Sequence, residues 1–159
     1  MADEPVDPLL HPEADAQQLT PDDWKRVLAP IEFAILREHG TERPGTGRYL
    51  NEERAGAYHC AGCGQRLYDG TAKFHSGCGW PSFYQEAEKG ALTLKRDRSH
   101  GMERTEMLCS RCGGHLGHVF TDAPDQPTGL RHCVNGFALV FVPEGEDPAE
   151  VLAAHRGQA

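Results

Sequence analysis

Six cysteines carry the chemical potential of this chain, and their spacing divides them into four and two. Cys60 and Cys63 form one Cys-x-x-Cys knuckle, and Cys109 and Cys112 form a second. Four thiolates fill and close a tetrahedral zinc shell, so the paired knuckles read as one structural Zn²⁺ site per chain. A faint internal repeat supports this: Cys60-x-x-Cys63-Gly64-x-x-Leu67 matches Cys109-x-x-Cys112-Gly113-x-x-Leu116. The glycine in each lets backbone amides turn toward sulfur. The alternative is a pair of redox Cys-x-x-Cys motifs. That needs a βαβ setting, which the sequence does not show. A closed four-sulfur site performs no catalysis, so its expected work is to hold two hairpins together.

Cys78 and Cys133 remain. A lone cysteine is usually a small hydrophobe, but the neighbours here suggest reversible thiol chemistry. Cys78 lies between Gly77 and Gly79, directly before Trp80-Pro81, in tight and exposed backbone. Cys133 follows Arg131 and His132, two groups that favour a thiolate if they point at the sulfur. His115-Leu116-Gly117-His118 adds two imidazoles three residues apart. They suit a proton-donor pair, since histidine titrates near neutrality, but extra metal ligands or surface histidines fit the pattern as well. Trp80 is a candidate pocket wall. Phe83 and Tyr84 read better as packing.

The elements that must position these groups are short. In 159 residues, one domain is expected, and 18 glycines and 11 prolines make it loop-rich. Residues 1–19 carry five acidic residues and three prolines with little apolar periodicity, and read as a flexible acidic N-terminal tail. Thr20-Pro21-Asp22-Asp23 opens a helix, with Thr20 at the N-cap and Pro21 at its first position. A second short helix carries Ile31, Phe33, Ile35 and Leu36, with Gly40 to end it. Strand-like pieces follow at 57–60, 92–96, 104–108, 118–120 and 137–142. The last is the clearest, apolar and stopped by Pro143. Short strands separated by glycine-rich turns predict a mainly β fold of antiparallel sheets. Residues 20–143 form the expected domain, and 144–159 read as a loose C-terminal tail. The net charge of −8 argues against nucleic-acid and anionic-membrane partners. No export signal or apolar span is visible, which places the expected site of action in the cytoplasm.

Several strings resemble the B-type peptide methionine sulfoxide reductases, in their zinc-bearing branch. They are Ser76-Gly77-Cys78-Gly79-Trp80-Pro81-Ser82-Phe83, His115-Leu116-Gly117-His118-Val119-Phe120 and Arg131-His132-Cys133-Val134-Asn135-Gly136. Gly40-Thr41-Glu42, Thr46-Gly47 and Ser99-His100-Gly101-Met102 add to them, and the resemblance spans roughly residues 20–142 in unbroken order. It implies two antiparallel sheets, β-tent-like, behind short N-terminal helices. It implies reduction of methionine-R-sulfoxide in proteins and peptides. Cys133 matches the nucleophile, which becomes a sulfenic acid. Cys78 matches the resolving cysteine that forms a Cys78–Cys133 disulfide, recycled by thioredoxin. Trp80 matches the residue against the substrate methyl group. His115, His118 and Asn135 match the groups that hold and protonate the sulfoxide oxygen, and Arg131 matches one that favours the thiolate. Cys60, Cys63, Cys109 and Cys112 match the zinc ligands. A monomer is expected.

Three positions depart from the family pattern: His132 where tyrosine is common, Thr121 before Asp122, and Gly45 where phenylalanine precedes Thr46-Gly47. The first could tune the nucleophile and the last could loosen the pocket rim. Two rival readings keep the zinc clamp: a β module that only binds a partner, and a redox sensor whose disulfide is itself the output.

Overall fold

The computed structural model describes residues 6–157. Two short helices come first, α1 (Pro21–Val27) and α2 (Pro30–Glu38). Nine strands follow: β1 (Gly56–Cys60), β2 (Arg66–Asp69), β3 (Lys73–Phe74), β4 (Ser82–Phe83), β5 (Leu92–Asp97), β6 (Arg104–Cys109), β7 (His115–Phe120), β8 (Arg131–Val134) and β9 (Leu139–Pro143). Helix α3 (Pro148–Arg156) closes the chain. The strands make two antiparallel sheets, one ordered β2-β1-β9 and the other β3-β4-β8-β7-β6-β5. Among the described residues, no helix is long and apolar enough to cross a membrane.

Aromatic rings from both sheets join them. Tyr68 of β2 stacks on Phe83 of β4 at 4.2 Å between centroids, and Tyr58 of β1 meets Phe83 edge-on at 5.1 Å. Leu67, Met107, Leu116, Val134 and Leu139 are fully buried around them. Phe83 is therefore core, as its sequence setting suggested. Burying one such ring contributes about 1.5–3 kcal/mol, which fixes the spacing of sheets built from strands as short as two residues.

The helices begin where the capping residues require. Thr20 Oγ1 accepts from the Asp23 N–H at 3.1 Å, and Asp23 Oδ2 accepts from the Thr20 N–H at 2.9 Å. The end of α2 differs from expectation. His39, not Gly40, takes the left-handed turn (φ 56), while the Gly40 N–H returns to Ala34 O at 2.9 Å.

Both segments expected as tails are folded onto the body where they are described. Leu9 and Ala16 are buried. Arg111, inside the second knuckle, donates to the carbonyls of Pro8, His11, Pro12 and Ala14 at 3.0–3.2 Å and also to Cys63 O. Asp7 receives a forked pair from Arg156 at 2.6 and 2.9 Å. One guanidinium thus satisfies carbonyls about a hundred positions away, a partnership with no local sequence signature. Residues 1–5 of the expected tail lie outside the described residues. At the other end, residues 148–156 form α3, capped by Asp147 and anchored by buried Leu152.

Candidate active site and metal centre

Each knuckle turns the same way. Gly64 (φ 84) and Gly113 (φ 75) both adopt the left-handed turn, and their N–H groups return to Cys60 O and Cys109 O at 2.8 Å. The Sγ atoms of Cys60 and Cys112 lie 3.7 Å apart, those of Cys63 and Cys109 3.5 Å apart, and all four fall within 4.8 Å of one another. All four cysteines are buried. The Gly62 and Gly114 N–H groups point at Cys60 Sγ and Cys112 Sγ at 3.4 Å, and Gln65 Nε2 lies 3.7 Å from Cys109 Sγ. Backbone donors aimed at clustered sulfurs suit thiolates held by a cation. The arrangement is a structural metal site, closed on every side.

The second pair of thiols is built by three adjacent strands. Register places Cys133 of β8 opposite Ser82 of β4 on one side and His118 of β7 on the other. Directly opposed residues share a face of the sheet, so all three side chains converge. Gly117 permits this close approach, since a Cβ there would stand 2.0 Å from Cys133 O. The loop between β3 and β4 then brings Cys78 Sγ to 3.4 Å from Cys133 Sγ. That loop is braced at three points: Gly45 N–H to Gly79 O at 2.8 Å, Val134 N–H to Pro81 O at 3.0 Å, and Trp80 Nε1–H to Glu42 O at 3.1 Å.

Electrostatics separates the two sulfurs. The contact with Cys133 is the main cause that draws the Cys78 thiol down to about 4, aided against burial by the Ser76 and Ser82 hydroxyls. The same contact, with burial, drives the Cys133 thiol well above its ordinary range, while Arg131 pulls it back. The contact therefore favours ionisation of Cys78 over that of Cys133.

A cavity of about 220 Å³ opens over these sulfurs, lined by Cys78, Cys133, Trp80, His118, Phe120 and Arg131 among others. It is smaller than the ~300–1,000 Å³ typical of drug-sized sites and suits one side chain. Its lining mixes apolar groups, the Trp80 indole and the Phe120 ring, with polar ones, the His118 imidazole and the Arg131 guanidinium. His118 Nε2 is 2.7 Å from Asp97 Oδ2, so the carboxylate fixes the ring and one of its protons. Arg131 holds Asp122 through two bonds of 3.0 Å and stacks over Phe120 at 4.3 Å.

Three sequence candidates sit differently from expectation. His115 does not line the cavity. It is buried behind His118, its Nδ1 2.6 Å from Glu106 Oε2, and burial pushes its pKa down. His39 Nδ1 meets the same oxygen at 2.7 Å, which accounts for that His-Glu-His cluster as hydrogen bonding. Asn135 lines the cavity, but its amide is used on both sides: Oδ1 accepts from Glu42 N–H at 2.9 Å and Nδ2 donates to Leu116 O at 3.0 Å. His132 faces away from Cys133, because successive strand residues alternate. It is buried against Tyr68 Oη at 3.0 Å, and burial lowers its pKa to about 4. It is a neutral core group and does not promote the thiolate. At Gly45 a side chain would meet open space, and the main chain there braces the Cys78 loop. Thr121 is exposed.

Sequence reasoning missed Ser76 and Ser82, which lay inside quoted strings without a role, and the buried Glu42 that carries Trp80. It also missed Asp97 and Glu106, whose strand positions carry no local mark. A distance pattern between an imidazole and a carboxylate two strands away exists only after the sheet forms.

The comparisons with known proteins agree with this geometry. A family profile for the SelR domain matches residues 28–143. The chain is 54% identical over 138 residues to the peptide methionine sulfoxide reductase MsrB of Bradyrhizobium diazoefficiens, covering 82% of this chain and 99% of that one. It is 54% identical over 121 residues to the protein of the same name from Agrobacterium fabrum, covering 76% and 89%. With that from Cellvibrio japonicus it shares 56% over 118 residues, covering 74% and 84%. The chain belongs to the SelR-domain family, the B-type methionine sulfoxide reductases, and is an oxidoreductase acting on methionine sulfoxide.

Proposed function

We propose that the chain reduces the R epimer of methionine sulfoxide in oxidised proteins and peptides through Cys133, with Cys78 as the resolving thiol. The observation that carries this reading is the 3.4 Å separation of the two sulfurs in a cavity lined by both apolar and polar side chains. Cys133 passes its proton to Cys78 along that contact and attacks the sulfoxide sulfur. The oxygen is protonated from the His118 side and ends on Cys133 as a sulfenic acid while methionine leaves. Cys78 then attacks the Cys133 sulfur, the two form a disulfide, and water departs. A thioredoxin-type dithiol supplies two electrons to restore both thiols. Arg131 steadies the charge on Cys133, His115 backs His118, and Asn135 acts through the loop it fixes. Trp80 receives the methyl group, which sets epimer choice against the His118 imidazole.

The metal centre fits zinc. Four thiolates around Zn²⁺ with bonds of ~2.3 Å span edges of about 3.8 Å, close to the sulfur separations here. When bound, the ion would cross-link the two knuckles and take no part in the redox steps. Reliance on a dithiol protein places the enzyme in a reducing cytoplasm.

The test is turnover of the separated R and S epimers of a methionine sulfoxide peptide with thioredoxin recycling. Consumption of R alone, lost in Cys133→Ser, is expected. Consumption of neither epimer by reduced, metal-replete protein would overturn the reading, and consumption of S would overturn the assignment of Trp80 and His118.

A further inference from the structure

Cys78 faces two openings. It lines the substrate cavity together with Cys133, and it also lines a separate polar groove of about 340 Å³ that Cys133 does not reach. The groove is lined by His75-Ser76-Gly77 of the β3–β4 loop, by Asp122, Ala123 and Asp125 of the β7–β8 connection, and by Arg131. Thiol–disulfide exchange requires the attacking, central and leaving sulfurs to lie in line. In the oxidised enzyme proposed above, an attack that expels Cys133 from Cys78 must therefore arrive on the side of Cys78 away from Cys133. The groove exposes Cys78 without Cys133, whereas the substrate cavity holds both sulfurs, so the groove is the opening that suits this attack.

We infer that this groove is the docking surface for the reductant, and that the reductant is a dithiol protein with an electropositive rim. The inference rests on the reading of Cys78 as the resolving thiol. Charge argues for the partner. Asp125 is exposed on the groove and lies in no ion pair among the described residues, while Asp122 beside it is held by Arg131. A thiolate ready to attack is kept ionised by nearby cations or a helix N-terminus, so the surface presenting it is electropositive and complements Asp125. Glutathione brings two carboxylates of its own and is disfavoured by the same rim.

The exchange balances within these groups. The reductant thiolate bonds to Cys78 Sγ, the Cys78–Cys133 bond breaks, and Cys133 leaves with the electron pair and takes a proton. The reductant's second thiol loses its proton and attacks the first reductant sulfur. Cys78 leaves with that electron pair, and the reductant departs as a disulfide.

Asp125→Lys tests the surface, because residue 125 is exposed and lies outside the substrate cavity. Methionine formed in a single turnover, before any reductant is added, reads the substrate side. Its absence from the parent protein would overturn the underlying reading at that stage. Disulfide reduction is then followed with thioredoxin and with dithiothreitol. The expected result is at least a fivefold slower reduction by thioredoxin, with the dithiothreitol rate and single-turnover yield held. An unchanged thioredoxin rate in both Asp125→Lys and the space-filling Asp125→Trp would overturn the inference. A thioredoxin variant lacking its second thiol should be trapped on Cys78 in peptide mapping, and trapping on Cys133 would overturn it equally.

Discussion

The four sulfurs of the knuckles and the two of the cavity are the same functional group in opposite surroundings. At the knuckles every sulfur is buried, the donors are backbone and side-chain amide N–H groups that do not give up a proton, and two equivalent turns face each other. At the cavity the cysteines are half-exposed, and the donors to Cys78 are serine hydroxyls at 3.0 and 3.4 Å that both give and accept. The repeated turn treats Cys60 and Cys112 alike in the first case, each receiving one backbone N–H. In the second, Arg131 stands near one thiol and the hydroxyls near the other, so the thiols become unlike. A closed, even environment makes thiols into a clamp, and an open, uneven one makes them into reagents.

The largest expected effect separates the two regions outright. Cys133→Ser should lower kcat/KM by at least about 10³-fold, since a hydroxyl is a far weaker nucleophile. Metal per chain, measured by elemental analysis, should not change. A fall in metal content would mean that the regions are coupled. Cys109→Ser is the converse. It should strip the metal and cost about 3–5 kcal/mol of stability in denaturant titration. Full metal content in that variant would refute the four-sulfur site. The Arg111 bonds should loosen with it, since Arg111 sits between Cys109 and Cys112 and grips residues 8–14. Limited proteolysis in that segment reports this.

Within the cavity pair the asymmetry itself can be broken. Cys78→Ser should still form about one methionine per enzyme and then stall, with thioredoxin-driven cycling reduced about 10²-fold and restored by a small thiol. Chemical quench of the first turnover against steady-state rate measures both. Continued thioredoxin cycling would show that Cys78 is not the resolving thiol.

The two regions were also unequally legible. The metal site could be read from residues 60–63 and 109–112 alone, because each knuckle is a local turn whose geometry is set by its own spacing. The thiol pair could be read only through resemblance, because nothing local in Cys78 or Cys133 shows that a loop and a strand meet. The same limit hid β2, β3, β4 and β8. Two-residue strands such as Ser82–Phe83 have no period to detect, and β8, Arg131-His132-Cys133-Val134, alternates in burial but places a histidine on the buried face, so its residue types show no apolar period. Helix α1 was visible to its first residue because its cap is written in adjacent positions. The tail reading failed at Arg111 and Arg156, where the decisive partner lies about a hundred or more residues away.

Strand β8 separates the chemistry of its two faces, and His132 offers the finest test of that separation. Arg131 and Cys133 point to the cavity, while His132 and Val134 point to the core. Burial holds the His132 pKa near 4, against about 6.5 in an unfolded chain. Between those values the unfolded state binds a proton that the folded state refuses, so stability is complete above pH 6.5 and is lost as pH falls toward 4. At pH 5 the loss attributable to His132 is about 2 kcal/mol. His132→Phe removes that loss and also removes a hydrogen bond to Tyr68, which costs about 1 kcal/mol at every pH. The variant should therefore be less stable than the parent at pH 7.5 and more stable at pH 5. Denaturant titrations of both proteins at the two pH values show the crossing, and protonation of the metal thiolates, common to both, cancels in the difference. Activity at pH 7.5 should be unchanged within twofold. A shift in the pH profile of turnover would mean that the imidazole acts on Cys133 through the strand, and the division between the two faces would fail.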